Sequence, residues 1–174
     1  MKRINLFFFS AIALIAFSGC GEKLPPDLPK LHSTILTVVQ EGKPLDDASV
    51  QLIPKGFDSK WSANGVTDKS GKVEFYTHGK YKGVAEGTYR VVVQKTFTEE
   101  PKYAGQVHPP EGVSYEKWQQ MLASDKPQSY NLVDLKFGSR DSSPLEIVVD
   151  PDSKKERSID VGKSIREEIK PPPM

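Results

Sequence analysis

The stretch "WSANGVTDKSGKVEFYT", Trp61 to Thr77, sets the reading of the whole chain. Two runs that suit strands, Trp61–Thr67 and Lys72–Thr77, flank "DKSG", and that tetrapeptide has the chemistry of a tight turn. Asp68 can accept hydrogen bonds from the backbone amides that follow it, and Gly71 can take a positive φ without a Cβ penalty. The segment therefore predicts a β-hairpin. The same grammar recurs on both sides of it. "STILTVVQ" (Ser33–Gln40) is β-branched, and the Gly and Pro of "EGKPLDD" after it suit a tight connection. "ASVQLIP" sets Ala48, Val50 and Leu52 on one face against Ser49 and Gln51 on the other, the period of a half-buried strand. "EGTYRVVVQKT" places Gly87 at a turn and then alternates Tyr89, Val91 and Val93 with Arg90 and Gln94. "SPLEIVVD" alternates Leu145, Ile147 and Val149, and "RSIDVG" gives a short last strand through Ile159 and Val161. About seven short strands at this spacing, with no long helical periodicity among them, predict an all-β fold, a β-sandwich.

Between Thr96 and Ser143 the rhythm breaks. In "VSYEKWQQMLASDK", Ser114 is placed to cap a helix on which Tyr115, Trp118, Met121 and Leu122 share a face and Glu116, Lys117, Gln119 and Gln120 take the other. A short amphipathic helix is expected inside a long insertion, its apolar face covering an edge or open end of the sandwich. The tail "KSIREEIKPPPM" is expected to trail in solvent. The division expected is a signal segment over 1–19, a proline-rich linker over 20–31, a β-sandwich over 32–162 with its insertion at 96–143, and a disordered tail over 163–174.

Composition narrows the function classes. The chain has 174 residues, a formal net charge of +1, 27% charged residues and one cysteine, so it suits one soluble domain with additions. Loss of residues 1–19 would remove Lys2 and Arg3 and no acid, which leaves a charge of −1. Such a near-neutral, interspersed pattern argues against a nucleic-acid partner, which wants a clustered positive field. One cysteine allows no disulfide within the chain and no thiolate zinc site.

The opening "MKRINLFFFSAIALIAFSGC" has the cations, apolar run and small residues of a secretory signal. Ile4 to Phe17 is shorter than the roughly 18 to 20 residues that span a hydrocarbon core. Ser18, Gly19 and Cys20 resemble the bacterial lipobox, in which the cysteine is diacylated on sulfur and becomes the new amino terminus. That resemblance implies Cys20 as the lipidation site, a bilayer as partner and an extracytoplasmic, membrane-anchored address in a bacterial envelope. Phe17 stands where the lipobox usually has Leu, Val or Ile. The alternative is ordinary secretion, with cleavage after Ser18 and a free thiol at Cys20. The prolines at 25, 26 and 29 favour an extended spacer.

Three phrases, "EGKPLDDASVQLIP", "GVTDKSGKVEF" and "VAEGTYRVVV", resemble the carboxypeptidase regulatory-like domains, small transthyretin-like β-sandwiches. The match covers most of 32–95 and about 144–161, where "SPLEIVVDPDSKKERSIDV" resembles a closing strand pair. What the resemblance implies is a non-catalytic binding or scaffolding module without metal or cofactor, its partner an envelope protein or a glycan. Transthyretin-like sandwiches also include hydroxyisourate hydrolases, which use histidines, an arginine and a C-terminal Tyr-Arg-Gly-Ser. This chain ends "KPPPM" and lacks that tetrapeptide. "HPPE", His108 to Glu111, offers the H-x-x-E of a zinc site, but no histidine follows it, so no catalytic residue is assigned. "GSRDSS" (138–143) has the look of a phosphate or calcium loop and only one acid, too few for calcium. For binding, the aromatics Trp61, Tyr76, Tyr81 and Tyr103 are the candidates, as a stacking surface for sugars in a secreted carbohydrate-binding module or as ordinary sheet packing.

Overall fold

The computed structural model describes residues 25–56, 60–151 and 156–170. Along the chain come β1 (Leu31–His32), β2 (Ile35–Gln40), β3 (Lys43–Pro44), β4 (Ser49–Pro54), β5 (Ala63–Val66), β6 (Lys72–Glu74), β7 (Tyr76–Thr77), β8 (Tyr81–Lys82), β9 (Val84–Ala85) and β10 (Gly87–Gln94). After β10 follow β11 (Thr96–Glu99), the helix α1 (Tyr115–Ser124), β12 (Gln128–Asn131), a 3-10 turn (Leu135–Phe137), β13 (Glu146–Val149), β14 (Arg157–Asp160) and β15 (Glu167–Glu168).

Two sheets enclose the core. One runs β13-β10-β4-β5-β7-β8, and the other runs β14-β2-β3 with β6 also paired to β2. Period-2 alternation decides which side chains enter: Leu36 and Val38 from β2, Val50 and Leu52 from β4, and Val91 and Val93 from β10 are all fully buried. Val73, Phe75, Ile147 and Val149 complete the same cluster, so the all-β sandwich expected from the alternation is the fold observed. Glu41 and Gly42, both at positive φ (53° and 74°), make the two-residue connection between β2 and β3, whose pairs are Gln40 with Lys43 and Val39 with Pro44.

The 61–77 stretch is more than a hairpin. Ala63 and Asn64 pair with Thr77 and Tyr76, but Lys72, Val73 and Glu74 pair with Thr37, Leu36 and Ile35 across the sandwich. The second arm thus leaves one sheet for the other and returns at Phe75. Gly65 sits at the crossing, where a Cβ would lie 2.2 Å from the Glu74 carbonyl oxygen. The turn itself follows the sequence expectation: the Asp68 carboxylate accepts from Ser70 N (2.8 Å), Ser70 Oγ (2.7 Å) and Lys72 N (3.0 Å), and Gly71 has φ 74°. Those bonds, with the Ser70 hydroxyl first, hold the Asp68 carboxyl below the ordinary aspartate range. A depressed carboxyl stabilises the fold above its unfolded pKa, and that contribution is lost as the pH falls through the folded value. Asp68→Asn is therefore expected to flatten the acid limb of a stability-versus-pH curve. An unchanged limb in urea titrations between pH 2 and 6 would contradict this.

Three other expectations need correction. First, the segments read as a closing strand pair join different sheets: β13 is antiparallel to β10, while β14 runs parallel to β2. Second, Ser114 caps the helix and accepts from Lys117 N (3.4 Å), but the helix does not lay its apolar face on the sandwich. Trp118 is buried outside the main core against Tyr103, with ring centroids 5.1 Å apart and nearly perpendicular. Tyr115 stays 66% exposed. The Asp125 carboxylate closes this small unit by accepting from Lys102 N (3.0 Å) and Tyr103 N (2.7 Å). Third, the tail does not trail from residue 163. β15 adds to β12 in a separate sheet ordered β11-β12-β15, because Arg166 packs its guanidinium 4.2 Å from the Tyr130 ring centre and pairs with Glu99 (2.7 Å). Residues 171–174 lie outside the described residues.

Candidate functional site

Strand register gives the domain two chemically different ends. Pro54, Tyr89 and Ala63 lie toward one end of the larger sheet, and Ser49, Gln94 and Val66 toward the other. The five-residue offset between them is about 17 Å of strand. The incoming chain docks at the first end, where β1 pairs with β9 two residues before β10 begins. The insertion leaves β10 at the second, and there Gln40 Nε2, at the close of β2, donates to the Leu132 carbonyl (3.0 Å).

Of the four candidate aromatics, the structure gathers three. Trp61, Tyr76 and Tyr81 belong to the β5–β7–β8 edge at the end where the chain enters. Trp61 stacks on His78 at 4.9 Å and 27°, and His78, at φ 52° in the turn between β7 and β8, is held by a 2.7 Å bond between its Nε2 and the Lys60 carbonyl. One face of the Trp61 ring is thus occupied within the chain. Tyr103 is elsewhere, in the insertion at the opposite end, so the four do not form one stacking surface.

Residues 25–31 do not run as a free extended spacer. Leu28 N donates to the Pro25 carbonyl (3.0 Å) in a turn, and Asp27 pairs with Lys60. That hydrogen bond holds the Asp27 carboxyl below its ordinary range. Between this turn and β8 opens a cleft of about 610 Å³, with Pro25, Leu28, Lys30, Lys80, Tyr81 and Lys82 on its walls. Lys82 is bridged to Glu74 at 2.7 Å, which raises its pKa. Phe17, Ser18, Gly19 and Cys20 lie outside the described residues.

The opposite end carries a surface that the sequence reading did not single out. Phe97 (47%), Val107 (80%), Tyr115 (66%) and Ile169 (41%) are exposed there, on the small sheet and the loops around α1. The alternation in "TFTE" was the available signal, but it is only four residues long. His108 is exposed in a loop, and among the described residues no group of three or more His, Cys, Asp or Glu is placed to hold a metal ion. No helix among the described residues is long and apolar enough to cross a membrane. No family model, curated protein or solved structure matches the chain.

Proposed function

We propose that the chain is a membrane-anchored envelope lipoprotein, attached through acylated Cys20, whose β-sandwich is a non-catalytic binding or scaffolding module of the carboxypeptidase regulatory-like, transthyretin-like type. The observation that carries this reading is the segregation of the two ends. The chain enters at one end, and Cys20 precedes Pro25 by five residues, which reach at most about 18 Å when extended. An anchor there holds that end near a bilayer and turns the β11–β12–β15 sheet, with Phe97 and Ile169, outward to a partner. Exposed apolar side chains on that sheet, Phe97 and Ile169, suit protein recognition better than catalysis. The order of the three family-like phrases along β3–β4, β5–β6 and β9–β10 supports the module class.

The intact mass of the protein extracted from membranes tests the anchor. The expected species begins at Cys20 and carries added acyl mass. A mature protein that begins at Gly19 or Cys20 without that mass would overturn the anchoring.

A further inference from the structure

Apart from the anchor and the outward surface, a cationic pocket lies toward the entry end of the larger sheet. Arg90 sits on β10, between Ile53 of β4 and Glu146 of β13 in register. The loop after the 3-10 turn folds across it: Gln94 Nε2 donates to the Gly138 carbonyl (2.6 Å), Arg90 Nη1 to the Arg140 carbonyl (2.6 Å) and Ser143 Oγ to the Val91 carbonyl (2.5 Å). This brings Arg90, Arg140 and Lys55 onto one small cavity of about 180 Å³, with Ile53, Pro54 and Gly56 as its other walls. Among the described residues the acid paired with them is Glu146, which is 2.5 Å from Lys55 Nζ. Three cations thus line a space of about six water volumes.

We propose that this pocket binds a phosphate-bearing anion, with Arg90, Arg140 and Lys55 as its ligands. Three observations converge on that class. Arg90 Nη1 is committed to the Arg140 carbonyl, while its buried Nε has no hydrogen-bond partner. The Nε–Nη2 edge is the planar fork whose two parallel donors match two oxygens of one phosphate or carboxylate. A buried donor left unpaired is costly, so an anion oxygen that reaches that edge would be favoured. Arg140, exposed on the loop, forms no ion pair among the described residues, and it lines the same recess as Arg90 and Lys55. Such a field in a walled recess concentrates anions. The recess has room for one phosphoryl group with its water. The loop is the "GSRDSS" segment, whose phosphate-loop composition thus acquires partners from β4 and β10.

Titration of the purified chain with inorganic phosphate, followed by amide chemical shifts, tests the site. Sodium chloride at matched ionic strength is the control. The expected result is saturable shifts confined to Lys55, Gly56, Arg90 and the 138–143 loop. Arg140→Gln, at an exposed position that leaves the core intact, should weaken binding about tenfold. Glu146→Gln, which removes the competing acid, should tighten it. A second arm adds vesicles of phosphatidylcholine with or without phosphatidylglycerol. Phosphate displaced only by the anionic vesicles assigns the site to a lipid headgroup, and phosphate indifferent to them assigns it to a free phosphate compound. Shifts that track chloride, or equal affinity in the wild type and Arg140→Gln, would overturn the site. None of these outcomes depends on acylation of Cys20.

Discussion

Gly65→Ala is expected to cost about 3 kcal/mol or more of folding stability, a large part of the roughly 5 to 15 kcal/mol that holds a domain of this kind together. The added Cβ would stand 2.2 Å from the Glu74 carbonyl oxygen and 2.5 Å from Val73 Cγ2, and the first of these is backbone that cannot rotate away. Glu74 is also paired with Ile35 in the other sheet. A shift of its carbonyl therefore disturbs the seam where β6 crosses between the two layers, in the neighbourhood of the fully buried Val73 and Phe75. The comparison that isolates this effect is Gly42→Ala. Gly42 has φ 74° and nothing within 4 Å of an added Cβ, so its substitution carries only the left-handed backbone penalty of about 1 to 2 kcal/mol. Urea denaturation of the two variants should place Gly65→Ala well below Gly42→Ala in midpoint. Equal midpoints would mean that the β5–β6 crossing tolerates a side chain and that the layers are not pinned there.

That crossing also marks where the sequence stopped being legible. Asp68 and Gly71 could be read because their work is local: a carboxylate meets amides two and four residues on, and a glycine takes a positive φ in the same turn. Ser114 could be read for the same reason. The path of β6 could not, since "KVEF" has the same strand pattern whether it pairs with Ala63–Val66 or with Ile35–Thr37. Only the three-dimensional proximity of Leu36 and Val73 decides it. The tail shows the same limit. "SIREEIK" is polar and short, and its place in a sheet depends on Tyr130 and Phe97, more than thirty residues away, which supply the rings that Arg166 covers. Among the candidate site residues, Trp61, Tyr76 and Tyr81 come together because the β5–β7–β8 edge brings them there. Tyr103 falls away because the insertion leaves from the other end of β10. The cationic pocket was the least legible of all, since Lys55, Arg90 and Arg140 are spread over 86 positions and meet only through the register of β4 with β10 and the loop bonded to it.

Cys20→Ser should move the protein from the membrane fraction to the soluble fraction almost completely. The arithmetic of acylation sets the scale. Each buried methylene contributes about 0.8 kcal/mol, a single fourteen-carbon chain gives only marginal, reversible attachment, and two chains together give stable anchoring. Removal of the sulfur removes the site that would carry both, and what remains must come from the folded domain. At the entry end that remainder is small, because the lysines there are partly offset: Lys60 by Asp27 and Lys82 by Glu74. Surface ion pairs and a few exposed lysines do not replace two acyl chains. The same substitution separates the two ways of processing this amino terminus. If Cys20 is a free thiol left by cleavage after Ser18, Cys20→Ser changes neither the fraction in which the protein is found nor its mass beyond the exchange of sulfur for oxygen. If Cys20 is acylated, the variant loses its acyl mass and leaves the membrane together. Phe17→Leu, which restores the residue usual at that lipobox position, should then raise the acylated share of the wild-type chain rather than leave it unchanged. Fractionation of cells that express the three forms, read with intact mass, checks both statements, and a Cys20→Ser protein still held in the membrane would sink the anchoring.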